Sequence, residues 1–152
     1  MDKRIFKEGI NFKCQGSSNC CISRGNYGYV YLSKKDLASI AKYLNISVNN
    51  FKKNYCEYSD GYLHLKEIYS NSNCQFLDNK RCSIYPARPT QCRTWPFWKE
   101  NMNTKKWNKK ILNFCPGIGK GKLISFSMIQ KKINIDIEND KKIIKEDKSK
   151  KY

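Results

Sequence analysis

Leu37, Ile40, Ala41 and Leu44 recur at three- and four-residue intervals, which predicts an amphipathic helix of about 10–12 residues. Ser33 stands three residues before Asp36, the spacing of a capping box, and marks where that helix begins. Ser47 caps a second, shorter helix with Val48, Phe51 and Tyr55 on its inner face. Ahead of both lies the stretch from Tyr27 to Leu32, rich in strand formers. After them Tyr62 to Ile68 reads as a strand, and His64, the one histidine, reads as an ordinary, partly exposed member of it. Asn71-Ser72-Asn73 is a turn, Cys74 to Leu77 a short strand, and Asp78 to Arg81 a tight polar connection to Cys82-Ser83-Ile84-Tyr85. Pro86 and Pro89 exclude a continuous helix across both. Lys109 to Phe114 reads as a further strand, and Gly117 to Gly121 as a flexible turn. Phe126, Ile129, Ile133 and Ile137 predict a helix from about Ser125 to Glu138, with the charged stretch from Lys141 to Tyr152 fraying beyond it.

Together these elements predict a small α+β domain in which short strands and a few helices are organised around cysteine ligands. The expected division is a cysteine-cluster metal-binding domain over 1–124 and a C-terminal helix and charged tail over 125–152. The apolar material is lean: 39% of 152 residues are hydrophobic, and the mean hydropathy is −0.76. No stretch approaches the roughly 18–20 apolar residues of a membrane span. The basic N-terminus has no apolar run behind it, so it does not read as a secretory signal. The expected location is therefore the cytoplasm, where many cysteines argue for metal or catalysis over disulfides.

The formal charge of +17 invites a nucleic-acid reading. The lysines, however, are spread along the whole chain. Subtracting eight thiolate charges from +17 would also leave only +9 before any metal is counted. A nucleic-acid partner is not favoured, and a membrane is not expected.

The eight cysteines carry the chemistry. They fall as Cys14, then Cys20 and Cys21, then Cys56, then Cys74, Cys82 and Cys92, then Cys115. None forms the two-residue-spaced knuckle of a zinc finger. Buried cysteines are common in cores, but eight in 152 residues, with an adjacent pair in a polar loop, are poor core material. Cys56 follows Tyr55 at the end of an amphipathic stretch and suits core or ligand equally. Soft thiolates select zinc, copper(I) or iron–sulfur clusters, and no acidic loop offers the oxygen cage of calcium.

Phe12-Lys13-Cys14 with Cys20-Cys21 forms one block, and Cys74-Gln75-Phe76-Leu77-Asp78 begins the next. Cys82-Ser83-Ile84-Tyr85-Pro86-Ala87-Arg88-Pro89, Cys92-Arg93-Thr94-Trp95-Pro96-Phe97 and Cys115-Pro116-Gly117 complete the pattern. It resembles the CxxCxxCC family of YkgJ-like cysteine-cluster proteins, over roughly residues 10–121. The resemblance implies a zinc- or iron-chelating domain, with an iron–sulfur cluster as one form of the cofactor. The family's first motif usually reads Cys-x2-Cys-Gly-x-Cys-Cys, whereas Ser17 and Ser18 stand here where the second Cys and the Gly would be. Either a neighbouring cysteine such as Cys56, or a water, then completes the site, or the metal stoichiometry is lower. Arg88, in the family's Ile-Tyr-x2-Arg-Pro motif, is expected to donate hydrogen bonds to thiolates or to a carbonyl beside them. Arg93 is a candidate to neutralise thiolate charge, and Tyr85, Trp95 and Phe97 are expected to wall off the metal.

The function expected is metal binding through clustered thiolates, without catalysis. One alternative is an iron–sulfur enzyme or redox module modifying protein side chains, since a branch of longer family members resembles flagellin lysine N-methylases. A second is a basic nucleic-acid-binding domain with structural zinc. No Ser-His-Asp signature, phosphate loop or dinucleotide fingerprint is present.

Overall fold

The computed structural model describes residues 6–22, 29–67 and 73–148. Strand β1 (Ile10–Phe12) leads into a loop whose last residues, Asn19–Cys21, form a single 3-10 turn. Helices α1 (Lys34–Tyr43) and α2 (Val48–Tyr55) follow, then the hairpin of β2 (Cys56–Ser59) and β3 (Tyr62–Leu65), then the small hairpin of β4 (Leu77–Asp78) and β5 (Arg81–Cys82). A short helix α3 (Thr90–Thr94), a helical run α4 over 104–114, strand β6 (Ile118–Ile124) and the long helix α5 (Phe126–Lys148) complete the chain. The fold is α+β, with three separate two-stranded antiparallel sheets pairing β1 with β6, β2 with β3 and β4 with β5.

Local chemistry explains the start of each early helix. Ser33 and Asp36 form a reciprocal capping box at α1, and the Ser47 hydroxyl accepts from Asn50 N–H at α2. The β2–β3 turn is Asp60-Gly61 with φ of 51° and 83°, the left-handed pair that matches strand twist in a tight hairpin. The β4–β5 turn, Asn79-Lys80, uses the same conformation.

Two apolar cores result. The first joins α1 and α2 to the β2–β3 hairpin through Leu37, Ile40, Phe51 and Leu63, with Phe51, Tyr55 and Phe76 stacked in series. The second gathers Phe6, Phe97, Trp107 and Ile111 beneath Ile129 and Ile133 of α5.

Several expectations need correction. Residues 109–114 are helical, because Trp107 and Ile111 are one turn apart and both buried, with Asn103 capping the run at Lys106 N–H. Gly117 to Gly121 is no free turn: it enters β6, and a Cβ on Gly117 would lie 2.6 Å from the Lys13 carbonyl oxygen. Cys74 to Leu77 is strand only at its end, Cys74 making an isolated bridge with Glu67. His64 is fully buried rather than partly exposed. Helix α5 does not fray at Lys141; it continues to Lys148. Its inner face there is polar. Leu63 N–H donates to Asp147 (3.2 Å), Lys34 N–H donates to Glu146 (2.7 Å), and the Thr94 hydroxyl donates to Asp136 (3.0 Å). The expected strand at Tyr27–Leu32 and turn at Asn71–Asn73 lie partly outside the described residues.

Burial raises the Asp136 carboxyl to about 7, with Asp140 and Glu100 adding to the effect and the Thr94 hydroxyl opposing it. An unfolded aspartate titrates near 4. The folded chain therefore holds a proton that the unfolded chain has lost between those values, and Asp136 stabilises the fold less as pH rises from about 4 to 7. Asp136→Asn is expected to raise the Tm at pH 8 and to change it little at pH 5. An equal effect at both pH values in thermal melts would contradict this.

Candidate metal centre

Cys14, Cys20 and Cys21 lie on the loop after β1, and hydrogen bonds tie that loop to three other parts of the chain. The Cys21 carbonyl accepts from Cys74 N–H at 2.6 Å. The Ser18 hydroxyl donates to the Lys80 carbonyl at 2.7 Å, two residues before Cys82. The Asn19 side chain donates to the Phe114 carbonyl at 2.8 Å, immediately before Cys115. Ser18 turns the loop at φ 65°, a conformation that glycine adopts without strain and serine does not. It is the position where the family pattern has glycine.

Cys92 is brought in by a different device. Asp36, buried at the head of α1, accepts from Ser33 N–H (3.2 Å) and Oγ (2.8 Å), and from Thr90 N–H (2.9 Å) and Oγ1 (2.8 Å). Thr90 opens α3, so this carboxylate docks the Cys92 helix onto α1. The Arg93 guanidinium donates to Thr90 Oγ1 and lies 4.0 Å from Asp36, so it serves this joint and not thiolate charge, as had been expected of it.

Six cysteines, Cys14, Cys20, Cys21, Cys74, Cys82 and Cys92, line one cavity of about 1010 Å³. Cys115 stands beside them: its thiol is hydrogen-bonded to the side chain of Trp95, a cavity-lining residue, and feels the charges of Cys20 and Cys14. Cys56 is elsewhere, buried in the first core, where desolvation pushes its thiol up to about 11 against the pull of Lys52 and Lys66. Burial raises the thiols of Cys74, Cys82, Cys92 and Cys115, and in each case the charge of a neighbouring cysteine adds to it. Cys21 is raised first by its hydrogen bond with Cys20, then by burial. Arg88 works the other way, favouring the thiolates of Cys82 and Cys92. Its Nε donates to the Tyr85 carbonyl (2.9 Å), and its guanidinium lies 3.5 Å from the centre of the Tyr85 ring.

The donor set is all sulfur, which suits zinc and iron and not hard cations. Among the described residues no three thiol, imidazole or carboxylate groups stand close enough together to hold one ion as they are. The thiols ring a space; they do not meet at a point. A metal would draw them inward across it, and the raised thiols of Cys21, Cys74, Cys82, Cys92 and Cys115 are groups that a divalent cation stabilises as thiolates by displacing their protons.

His64 is no ligand candidate. Its Nδ1 faces the Leu65 carbonyl at 2.7 Å, which only accepts, so Nδ1 carries the proton; Nε2 then accepts from Ser59 Oγ at 2.8 Å. Trp95 and Tyr85 line the cavity, Tyr85 while half exposed, but Phe97 belongs to the second core and not to this wall. Sequence reasoning saw Asp36 only as a helix cap and missed its bond to Thr90. It also missed Gln91 and Trp98, which line the cavity; Gln91 adjoins Cys92 and Trp98 lies past the end of α3, so nearness to the cysteine motif was the available signal.

A family model described as "Putative zinc- or iron-chelating domain" matches residues 13–116. The chain belongs to the CxxCxxCC family. Seven of its eight cysteines fall within or beside the cavity just described, all of them inside the matched range. The chain is also 34% identical over 127 residues to the uncharacterized protein MJ0661 of Methanocaldococcus jannaschii. That match covers 78% of this chain, which spans 65% of the relative's length. No solved structure matches.

Truncating Asp36 would leave four buried donor atoms at the joint between α1 and α3 without their acceptor. Asp36→Ala is expected to cost about 2–3 kcal/mol. The corresponding fall in Tm is on the order of 5–10 °C for a chain of this size. A shift within about 1 °C in thermal melts would show that the carboxylate does not carry the joint.

Proposed function

We propose that this CxxCxxCC-family chain is a metal-binding protein that holds zinc or iron through Cys14, Cys20, Cys21, Cys74, Cys82, Cys92 and Cys115. The observation that carries this reading is the convergence of six cysteines, from separate stretches of chain, on one cavity, with the seventh bonded to a residue of its wall. Cys56 stays outside the centre as core.

Seven sulfurs exceed the four that one tetrahedral zinc takes. The set has enough ligands for one zinc or one iron–sulfur cluster, each on four thiolates, with three thiols left over, or for two zinc ions that share ligands. Ser17, where the family pattern has a cysteine, lowers the available ligands by one. Arg88 offsets thiolate charge at Cys82 and Cys92 in the metal-bound state. When bound, the metal supplies folding energy that a lean apolar core lacks. On this reading the metal-binding unit is 1–124, with 125–152 the C-terminal helix and charged tail. A reducing, cytoplasmic setting suits a chain that carries eight cysteines for metal binding.

Protein purified without oxygen is expected to contain zinc or iron at one or more ions per chain by elemental analysis. It will be colourless with zinc and brown with an iron–sulfur cluster. A strong chelator, and separately Cys82→Ser, should each lower the Tm by about 10 °C or more. Cys56→Ser should leave the metal content unchanged. Metal-free protein with melting curves indifferent to chelator would overturn the proposal.

A further inference from the structure

The cavity is much larger than a metal centre requires. A zinc–sulfur bond is about 2.3 Å, so a tetrahedral site fills a sphere of only a few ångströms. The space here is about 1010 Å³, the upper end of the roughly 300–1,000 Å³ of small-organic sites. Its lining supplies what such a site needs beyond thiols. Tyr29, Val30, Leu65, Trp95 and Trp98 all face into it.

The aromatic part of this wall is fixed in place. The Trp98 indole N–H donates to the Gln91 carbonyl (3.0 Å) and to Thr94 Oγ1 (3.1 Å), and Trp95 packs edge-on against Trp98 with centroids 4.8 Å apart. The Gln91 side chain accepts from Tyr31 N–H (3.2 Å) and donates to the Tyr29 carbonyl (3.3 Å). Tyr29 in turn stacks on the buried His64 ring at 3.7 Å. A pre-set aromatic surface binds a flat apolar ligand at little cost in side-chain entropy.

Charge selects the rest of the ligand. Four cations, Lys66, Lys80, Arg81 and Arg88, line the cavity against one carboxylate, Glu67, among the described residues. Arg88 is the oriented one. Its Nε and its face are held by Tyr85, which leaves the two terminal nitrogens, the pair that grips a carboxylate, without a hydrogen bond among the described residues, while Cys82 and Cys92 feel the guanidinium's charge.

We propose that the cavity is a binding site for a small aromatic carboxylate, its ring against Trp95 and Trp98 and its carboxylate on Arg88. The site goes beyond the metal-centre reading and stands on lining residues other than the cysteines. Trp95 and Trp98 also supply the readout, because a bound nitroaromatic quenches their fluorescence.

The experiment titrates 4-nitrobenzoate, and separately the uncharged 4-nitrobenzyl alcohol, into the full chain, with metal content measured on the same sample and on a metal-stripped one. Saturable quenching by 4-nitrobenzoate is expected, with the alcohol at least about tenfold weaker. Arg88→Gln should weaken the acid about tenfold and leave the alcohol unchanged, and Trp98→Leu should weaken both. No saturation at millimolar acid, or equal affinity for acid and alcohol in the unaltered protein, would overturn the proposal, as would unaltered acid binding in a folded Arg88→Gln protein. Both titrations are made at about 0.15 M salt, where the general pull of a +17 chain on anions is screened beyond about 8 Å, so the acid-to-alcohol ratio in the unaltered protein decides the matter even if the variants fold poorly. A missing metal shows in the elemental analysis and not in the quenching, so the two readings fail separately.

Discussion

The loop bearing Cys14, Cys20 and Cys21 is held at once to the Cys74 backbone, to the turn before Cys82 and to the residue before Cys115. Those three hydrogen bonds join parts of the chain up to 95 residues apart. Without them the cysteines would sit on four independent surface stretches. Both apolar cores reach this knot: Cys74 and Cys82 pack against the first, and Phe114 and Cys115 against the second. Asp36 adds the last strut by fastening the Cys92 helix to α1.

Burial on this scale opposes ionisation of the thiols. Every resolved shift among the cavity cysteines and Cys115 is upward, and the cysteines raise one another. A site built of mutually repelling, desolvated acids is costly as thiolates alone, and cations relieve that cost. Arg88 does so in part. A bound zinc or iron centre, as proposed, does so fully, and it brings to one point thiols that otherwise stand around a wide space. The aromatic part of the wall, Trp95 and Trp98, carries no cysteine, and it is the part that the proposed organic ligand uses.

What the sequence revealed was local. The capping box of Ser33 and Asp36, the Ser47 cap and the cysteine blocks are adjacent residues with their own chemistry, and each stands as read. What it concealed depended on distance or on polar burial. Residues 109–114 looked like a strand because Lys109 and Lys110 mask a helical period completed by Trp107 and Ile111. Helix α5 looked too short because its buried face beyond Ile137 is made of Asn139, Ile143 and Asp147, which a search for apolar stripes passes over. The candidate cysteines were legible as a set, and six of the eight line the cavity. Cys56 read as core or ligand equally, since its placement rests on β2–β3 pairing with Leu65.

X-ray absorption at the metal edge of the anaerobically prepared protein tests the central claim most directly, because it counts the atoms bound to the ion. The expected first shell is dominated by sulfur, at about 2.3 Å for zinc, with sulfur lost when cavity cysteines are replaced by serine and retained in Cys56→Ser. A first shell of nitrogen and oxygen, insensitive to those replacements, would contradict it.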